Sequence, residues 1–140
     1  MKKKGWEHYE HTADMGIRGF GATKEEAFEQ AALAMIAITV DLEKIKHNEP
    51  VEITCEEDDD ELLFVAWLNR LIFEMATRNM LFSKFEVRIT GSTLSAKAWG
   101  EKLDPQRHKP VVEIKGASYS GLKVRQDKNG IWIAQCVVDI

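Results

Sequence analysis

The chain has 140 residues, of which 44% are hydrophobic and 30% charged, and its formal net charge at neutral pH is -4. This length fits one domain spanning residues 1–140, which can bury a core without disulfides or a structural metal. The mild negative charge argues against a protein that binds phosphate backbones over a broad basic face, and no apolar run approaches the ~20 residues that cross a bilayer.

The ends of the chain and the cysteines indicate a cytoplasmic protein that does not contact membranes. Positive charge at residues 2–4 is followed by no apolar segment, so the start is not a secretory signal. Cys55 and Cys136 form no CxxC pair and lie in alternating apolar runs, which predicts buried, reduced thiols.

The first forty residues predict two short strands and a helix. Residues 6–10 and 15–20 are typical of strands, with a polar turn between them. Thr23 and Glu26 form a capping box that starts the helix. The helix carries an apolar stripe that must pack on a sheet or another helix, formed by Phe28, Ala31, Ala32, Met35 and Ile38.

A charged connection closed by Pro50 leads to a strand over residues 51–55 and then to the most acidic run of the chain, residues 56–61. Clustered carboxylates can bind a cation, but acidic side chains also stabilise the positive end of a helix dipole. We favour a helix start, because a strongly apolar helical pattern runs from residue 60 to about 78. Arg70, Glu74 and Arg78 follow its solvent side at intervals of four.

The second half of the chain alternates with a period of two, which predicts strands. Residues 85–89 and 94–98 form a hairpin, residues 100–110 a polar loop, and residues 112–116 and 122–125 two further strands. The apolar last strand, residues 131–138, is expected at the centre of a sheet. The order of elements indicates an α+β fold, a single domain with a mainly antiparallel sheet and two helices packed against it.

Two acidic positions define a candidate metal site. His11 and Asp14 lie in a glycine-rich turn, and Asp139 stands beside the terminal carboxylate of Ile140. If the last strand ends near the first turn, these carboxylates form an oxygen-rich pocket suited to Ca²⁺ or Mg²⁺, and His11 extends the choice to Zn²⁺ or Mn²⁺. The alternatives are an ordinary hairpin turn and a solvated chain end.

A modest basic cluster is formed by Arg107, His108 and Lys115, which could contact phosphate or an acidic partner, although loop charges are usually only solvated. The chain has no nucleophile elbow and no Walker A loop. The residues themselves therefore give little support to catalysis.

Four segments together resemble the archease family: His11 to Ile17, Phe28 to Met35, Glu113 to Tyr119, and the closing Val138-Asp139-Ile140. The resemblance spans nearly the whole chain. It implies a non-enzymatic accessory protein that assists the RNA-splicing ligase of tRNA splicing, promoting its guanylylation by GTP and its multiple turnover. The ligase, not this chain, would handle GTP, and no strong direct binding of nucleic acid is expected.

The resemblance also implies site residues. Asp14, Asp139 and Ile140 would hold a divalent metal, with calcium as the expected ion and magnesium or manganese as functional alternatives. His11 would be a neighbour of that ion, and Arg107, His108 and Lys115 would contact the partner or its nucleotide. Two other functions stay open: a small metal-dependent phosphodiester hydrolase that uses Asp14 and Asp139 to activate water, and a chaperone-like protein-binding module.

Overall fold

The computed structural model describes residues 3–11 and 14–140. Its strands are β1 (Gly5–His11), β2 (Asp14–Gly21), β3 (Glu49–Glu56), β4 (Met80–Thr90), β5 (Thr93–Lys102), β6 (Gly116–Ala117), β7 (Lys123–Gln126) and β8 (Trp132–Asp139). Its helices are α1 (Lys24–Thr39), α2 (Asp60–Arg78) and the short α3 (Pro105–His108), with a 3-10 turn at Leu42–Lys44. None of the helices in the described part of the chain is long and apolar enough to cross a membrane.

The strands form two antiparallel sheets. In the first, β1, β2 and β8 lie side by side, and both β6 and β7 pair with the far edge of β8. In the second, β5 lies between β3 and β4. The last strand is thus central in its sheet, as its apolar sequence predicts.

Helix α1 begins where the capping box places it and lies against β2. The Thr23 hydroxyl accepts a hydrogen bond from the Glu26 N–H (3.1 Å), and the Glu26 carboxylate accepts one from Ala22 N–H (3.0 Å). The contact with β2 is close because Gly19 has no side chain: a Cβ there would lie 2.3 Å from backbone atoms of Ala27 and Ala31. Small residues on both elements therefore set the distance between helix and sheet.

Helix α2 begins at the acidic run and supplies the largest fully buried side chain, Trp67. The Asp59 carboxylate accepts hydrogen bonds from Glu61 N–H (2.8 Å) and Leu62 N–H (3.0 Å), which satisfies free donors of the first turn. Trp67 is fully buried and its indole N–H donates to the Phe28 carbonyl (3.1 Å), which joins the two helices. The prediction of a helix start at this run is confirmed.

Side chains of both helices also satisfy backbone groups at sheet edges. The Glu29 carboxylate on α1 accepts from Val87 N–H on β4 (2.8 Å), and burial raises the pKa of this carboxyl even though that hydrogen bond lowers it. The Glu61 carboxylate on α2 accepts from Val124 N–H on β7 (3.3 Å). Edge strands that would otherwise offer free N–H groups to another chain are thereby covered.

The predicted α+β class is confirmed, and several details differ. The strands form two sheets, where one was predicted, because the apolar faces of the helices pack against both. Residues 111–115 form no strand; β6 is confined to Gly116–Ala117. The polar loop from residue 100 contains the end of β5 and the short helix α3, and Pro50 lies inside the edge strand β3, where its missing N–H is tolerated.

Two burial predictions also need correction. Glu74 is buried on α2, not solvent-exposed, because it is held between Arg70 and Arg78, whose side chains are half-exposed. Cys136 is buried as expected, whereas Cys55 is half-buried.

Candidate metal site

The sheet brings the two predicted acidic positions together. Met15 on β2 pairs with Val138 on β8, so one step further along the same register Asp14 faces Asp139. His11 on β1 pairs with Asp14, and Gly116 on β6 pairs with Asp139. His11, Asp14, Asp139 and Gly116 therefore form one row across four strands.

Asp14 and Asp139 project from the same face of the sheet, because residues that pair across adjacent strands share a face and their Cβ atoms are about 5 Å apart. The neighbouring pair, Met15 and Val138, packs into the core on the opposite face. Asp14 is half-buried and Asp139 is exposed, so both carboxylates are open to solvent. Thr12 and Ala13, which complete the predicted motif, lie outside the described residues.

This arrangement fits a hard divalent cation. Two carboxylates at this separation repel each other, and an ion between them removes that repulsion. In residues 3–11 and 14–140 no three His, Cys, Asp or Glu side chains form a metal-sized cluster, so the pair needs further oxygen donors. Ile140, the third predicted ligand, follows Asp139 directly in the chain and is 37% exposed.

The strand β6 holds the end of β8 in place. The Lys115 N–H donates to the Asp139 carbonyl (2.8 Å), and Ser118 donates to the Val137 carbonyl through both its N–H (2.9 Å) and its hydroxyl (3.0 Å). Lys115 is thus attached to Asp139 through the backbone. This neighbour relation places a predicted contact residue next to the acidic pair.

Asn69 on α2 completes this region, although no sequence pattern pointed to it. Its amide nitrogen donates to the Ala117 carbonyl (3.2 Å), and its amide oxygen accepts from Ala117 N–H (2.9 Å). One side chain therefore satisfies both backbone groups of a β6 residue. Only an isolated asparagine on a helix is visible in the sequence, and such a residue is usually a surface position.

Beside the acidic row, the same face of the sheet carries an aromatic and ionic cluster. The Tyr9 ring covers Gly16, where a Cβ would lie 2.3 Å from ring atoms, and the Arg18 guanidinium lies 4.6 Å from the ring centroid. Arg18 also forms an ion pair with Glu7 and donates to the Gln135 side chain (2.8 Å). Burial raises the pKa of the Tyr9 hydroxyl.

Arg107 and His108 lie in a different part of the molecule, around the buried Glu101. The Glu101 carboxylate contacts Arg107 (2.6 Å) and His108 Nε2 (2.9 Å) and accepts from Lys46 N–H (2.8 Å). Burial by itself would raise the pKa of Glu101, but these hydrogen bonds outweigh it and lower the pKa from 4.5 to about 2.

His108 is 1% exposed, and both nitrogens of its ring form hydrogen bonds. Its Nδ1 accepts from Asp104 N–H (2.8 Å), so Nε2 carries the hydrogen and donates to Glu101. The structure therefore does not bring Arg107 and His108 together with Lys115. Burial of His108 weighs against its direct contact with a partner, and a structural role accounts for its position.

An apolar groove of about 720 Å³ lies between the second half of α2 and residues 110–115. Its lining includes Ile72, Met75, Val111, Ile114 and Lys115. Val111 is 76% exposed, whereas Ile114 is buried. The groove thus reaches Lys115 and ends beside the strand that pairs with Asp139.

Comparison with known proteins identifies relatives over nearly the whole chain. The model of the Archease protein family matches residues 6–140. The protein named archease from Pyrococcus abyssi is 43% identical over 98% of this chain and 99% of its own length. The one from Methanosarcina mazei is 37% identical over 98% of this chain and 97% of its own.

Solved structures agree with the fold. The solution structure of a Methanobacterium thermoautotrophicum protein matches with a TM-score of 0.85 and 31% identity, covering 97% of this chain and 99% of that chain. The crystal structure of a Thermotoga maritima archease, described as a possible chaperone, matches with a TM-score of 0.63 over 94% of both chains. At 22% identity the second match shows the fold alone.

Proposed function

The chain belongs to the Archease protein family, and we propose on this basis that it is a non-enzymatic accessory protein of tRNA splicing. In this proposal it activates the RNA-splicing ligase in the cytoplasm, promoting guanylylation of the ligase by GTP and its multiple turnover. GTP and RNA are bound by the ligase.

The observation that carries the proposal is the β2–β8 register, in which Met15 pairs with Val138. Continued by one residue, this register sets Asp14 opposite Asp139 on one face of the sheet, although the two lie 125 positions apart in the sequence. Nothing in the packing of the core requires two carboxylates there. An accessory protein that binds or positions a metal ion beside its partner would use such a pair.

We assign the metal to Asp14, Asp139 and the carboxylate of Ile140, with His11 as a neighbour. Oxygen ligands of this kind suit Ca²⁺, and they also accept Mg²⁺ or Mn²⁺. When bound, the ion supplies positive charge that a phosphate group can approach. The chain's own residues would hold the ion, with Asp14 half-buried and Asp139 exposed to solvent.

The groove beside Lys115 is the surface that we assign to the ligase. Its apolar lining and the exposed Val111 suit a protein partner, since burial of apolar surface drives most protein association. Lys115 lines the groove and donates its N–H to Asp139, so a ligase bound there would lie next to the acidic pair. Arg107 is a second candidate contact, because its guanidinium is partly exposed.

A multiple-turnover RNA ligation assay tests the proposal. The ligase alone is expected to stall, and the wild-type protein is expected to restore turnover. Asp14→Asn and Asp139→Asn should each abolish that rescue without unfolding the chain, since substitutions of surface carboxylates usually change stability little. Extending the chain by several residues beyond Ile140 should weaken rescue, because the extension removes the terminal carboxylate from the site.

Asp58→Asn is the matched control. It removes one exposed carboxylate from the acidic run before α2 and should leave rescue unchanged. Rescue by both Asp14→Asn and Asp139→Asn would contradict the metal site. Hydrolysis of a phosphodiester substrate by the protein alone with Mn²⁺ would favour the hydrolase, and rescue of turnover by unrelated chaperones would favour a general protein-binding role.

A further inference from the structure

The strand beside Asp139 is only two residues long. β6 contains Gly116 and Ala117, and the residues before and after it form no regular structure except the turn around Ser120. On one side it pairs with β8 at Val138 and Asp139. Hydrogen bonds from Lys115 N–H to the Asp139 carbonyl and from Ser118 to the Val137 carbonyl extend this attachment on the β8 side, and each contributes about 1 kcal/mol.

The other side of β6 is held by Asn69. The two hydrogen bonds from the Asn69 amide to Ala117, 3.2 Å and 2.9 Å, reproduce the donor and acceptor of a neighbouring strand. β6 is therefore clamped between β8 and helix α2, and Asn69 is the side chain that forms the clamp. Helix α2 is itself fixed by its fully buried core side chains, among them Trp67.

We propose that Asn69 is a positioning residue of the metal site, acting through β6 on Asp139. This inference rests on the proposed function. The path is short: Asn69 holds Ala117, the adjacent Gly116 pairs with Asp139, and Lys115 N–H donates to the Asp139 carbonyl.

Asp139 depends on this support because it lies at the exposed end of β8. Chain ends open locally at little free-energy cost unless they are held by hydrogen bonds or packing. β2 holds one side of this end and β6 the other. Loss of the clamp frees β6, widens the distribution of Asp139 positions relative to Asp14, and lowers the affinity for an ion that needs both carboxylates.

Titration with Mn²⁺, followed by the electron paramagnetic resonance signal of the free ion, tests this role in the full chain. Asn69→Ala suits the helix, since alanine has the highest helix propensity. We expect its affinity for Mn²⁺ to fall about tenfold, the lower end of the effect of residues that orient metal ligands. Amide hydrogen exchange at Lys115 should accelerate by a similar factor, with or without the metal.

Glu61→Ala is the matched control. Glu61 lies on the same helix and hydrogen-bonds the same edge of the sheet, but its partner is Val124 on β7. Strand β7 pairs with β8 only from Trp132 to Gln135 and so does not reach Asp139. This variant should lose a comparable edge contact and keep the wild-type affinity for Mn²⁺ and the wild-type exchange rate at Lys115. The melting temperatures of both variants show that the comparison is between folded proteins.

Each outcome has a distinct meaning. Weaker binding and faster exchange at Lys115 in Asn69→Ala, with both unchanged in Glu61→Ala, supports the positioning role. Wild-type affinity in Asn69→Ala, while Asp139→Asn no longer binds, overturns this inference and leaves the metal site intact. Equal binding by the wild type and Asp139→Asn overturns the metal site and this inference with it.

Discussion

Replacing Glu101 by glutamine tests whether the Arg107–His108 region serves the fold. The Glu101 carboxylate is largely buried and takes part in three close contacts, with Lys46 N–H (2.8 Å), Arg107 (2.6 Å) and His108 Nε2 (2.9 Å). Glutamine has nearly the same shape, but it lacks the charge and turns an NH₂ group toward these donors. The substitution therefore removes the interaction without creating a cavity.

The expected loss follows from these contacts. Hydrogen bonds that involve charged groups contribute about 1.5–3 kcal/mol each, but the Arg107 side chain is 39% exposed and its pairing is weakened by solvent. Glutamine also retains one acceptor. We expect a net loss of about 2–3 kcal/mol, which for a chain of this length lowers the melting temperature by roughly 5–10 °C.

The pH dependence supplies a sharper signature. Because the folded-state pKa of Glu101 is about 2 and its ordinary value is 4.5, its contribution is complete above about pH 4.5 and is lost as the pH falls toward 2. The difference in melting temperature between the wild type and Glu101→Gln should therefore shrink steadily across that interval. Calorimetric scans measure it directly. Equal melting temperatures near neutral pH, or a difference that persists undiminished at about pH 2, would refute the reasoning.

Three further predictions concern other parts of the molecule. Gly16→Ala places a Cβ 2.3 Å from the Tyr9 ring and should lower the free energy of unfolding, measured in urea, by about 1–3 kcal/mol. The loss should be smaller when Tyr9 is also replaced by alanine, and an equal loss in both backgrounds would contradict the described contact. Burial raises the pKa of Cys55 to about 11 and that of Cys136 to about 12, so iodoacetamide at about pH 8 should label them only after unfolding, and rapid labelling of the native protein would disagree. Val111→Asp should weaken binding of the ligase in calorimetry without changing stability, because this side chain is 76% exposed, and unchanged affinity would remove the groove from the interface.

Local patterns predicted the elements whose determinants are close in sequence. The Thr23 capping box and the acidic run before α2 mark both helix starts, because the groups that satisfy the first turn lie within three residues of it. The central place of β8 followed from its continuous apolar sequence. These features depend little on what the rest of the chain does.

The burial of two polar residues could not be predicted, although their partners are close in the sequence. Glu74 and His108 are polar residues, yet both are buried. Arg70 and Arg78 form ion pairs with Glu74, and Glu101 and Asp104 form hydrogen bonds with His108. The sequence shows that Glu101 and Asp104 are close to His108 along the chain, but it does not show that both contact the same imidazole ring.

The same limit applies to the site. Asp14 and Asp139 were candidates because of their chemistry and the family resemblance, and their proximity depended on a sheet register that only the fold supplies. Asn69 had no pattern to mark it, since its role comes from the side of α2 that faces β6.

The central claim, that Asp14 and Asp139 share one ion, is tested most directly by a double-mutant cycle of Ca²⁺ affinity measured by titration calorimetry. The wild type should bind one ion, and Asp14→Asn and Asp139→Asn should each weaken binding strongly. Since either substitution already dismantles the shared site, the double variant should bind scarcely more weakly than either single variant. Fully additive losses, or a wild-type protein with no saturable Ca²⁺ binding, would contradict the account.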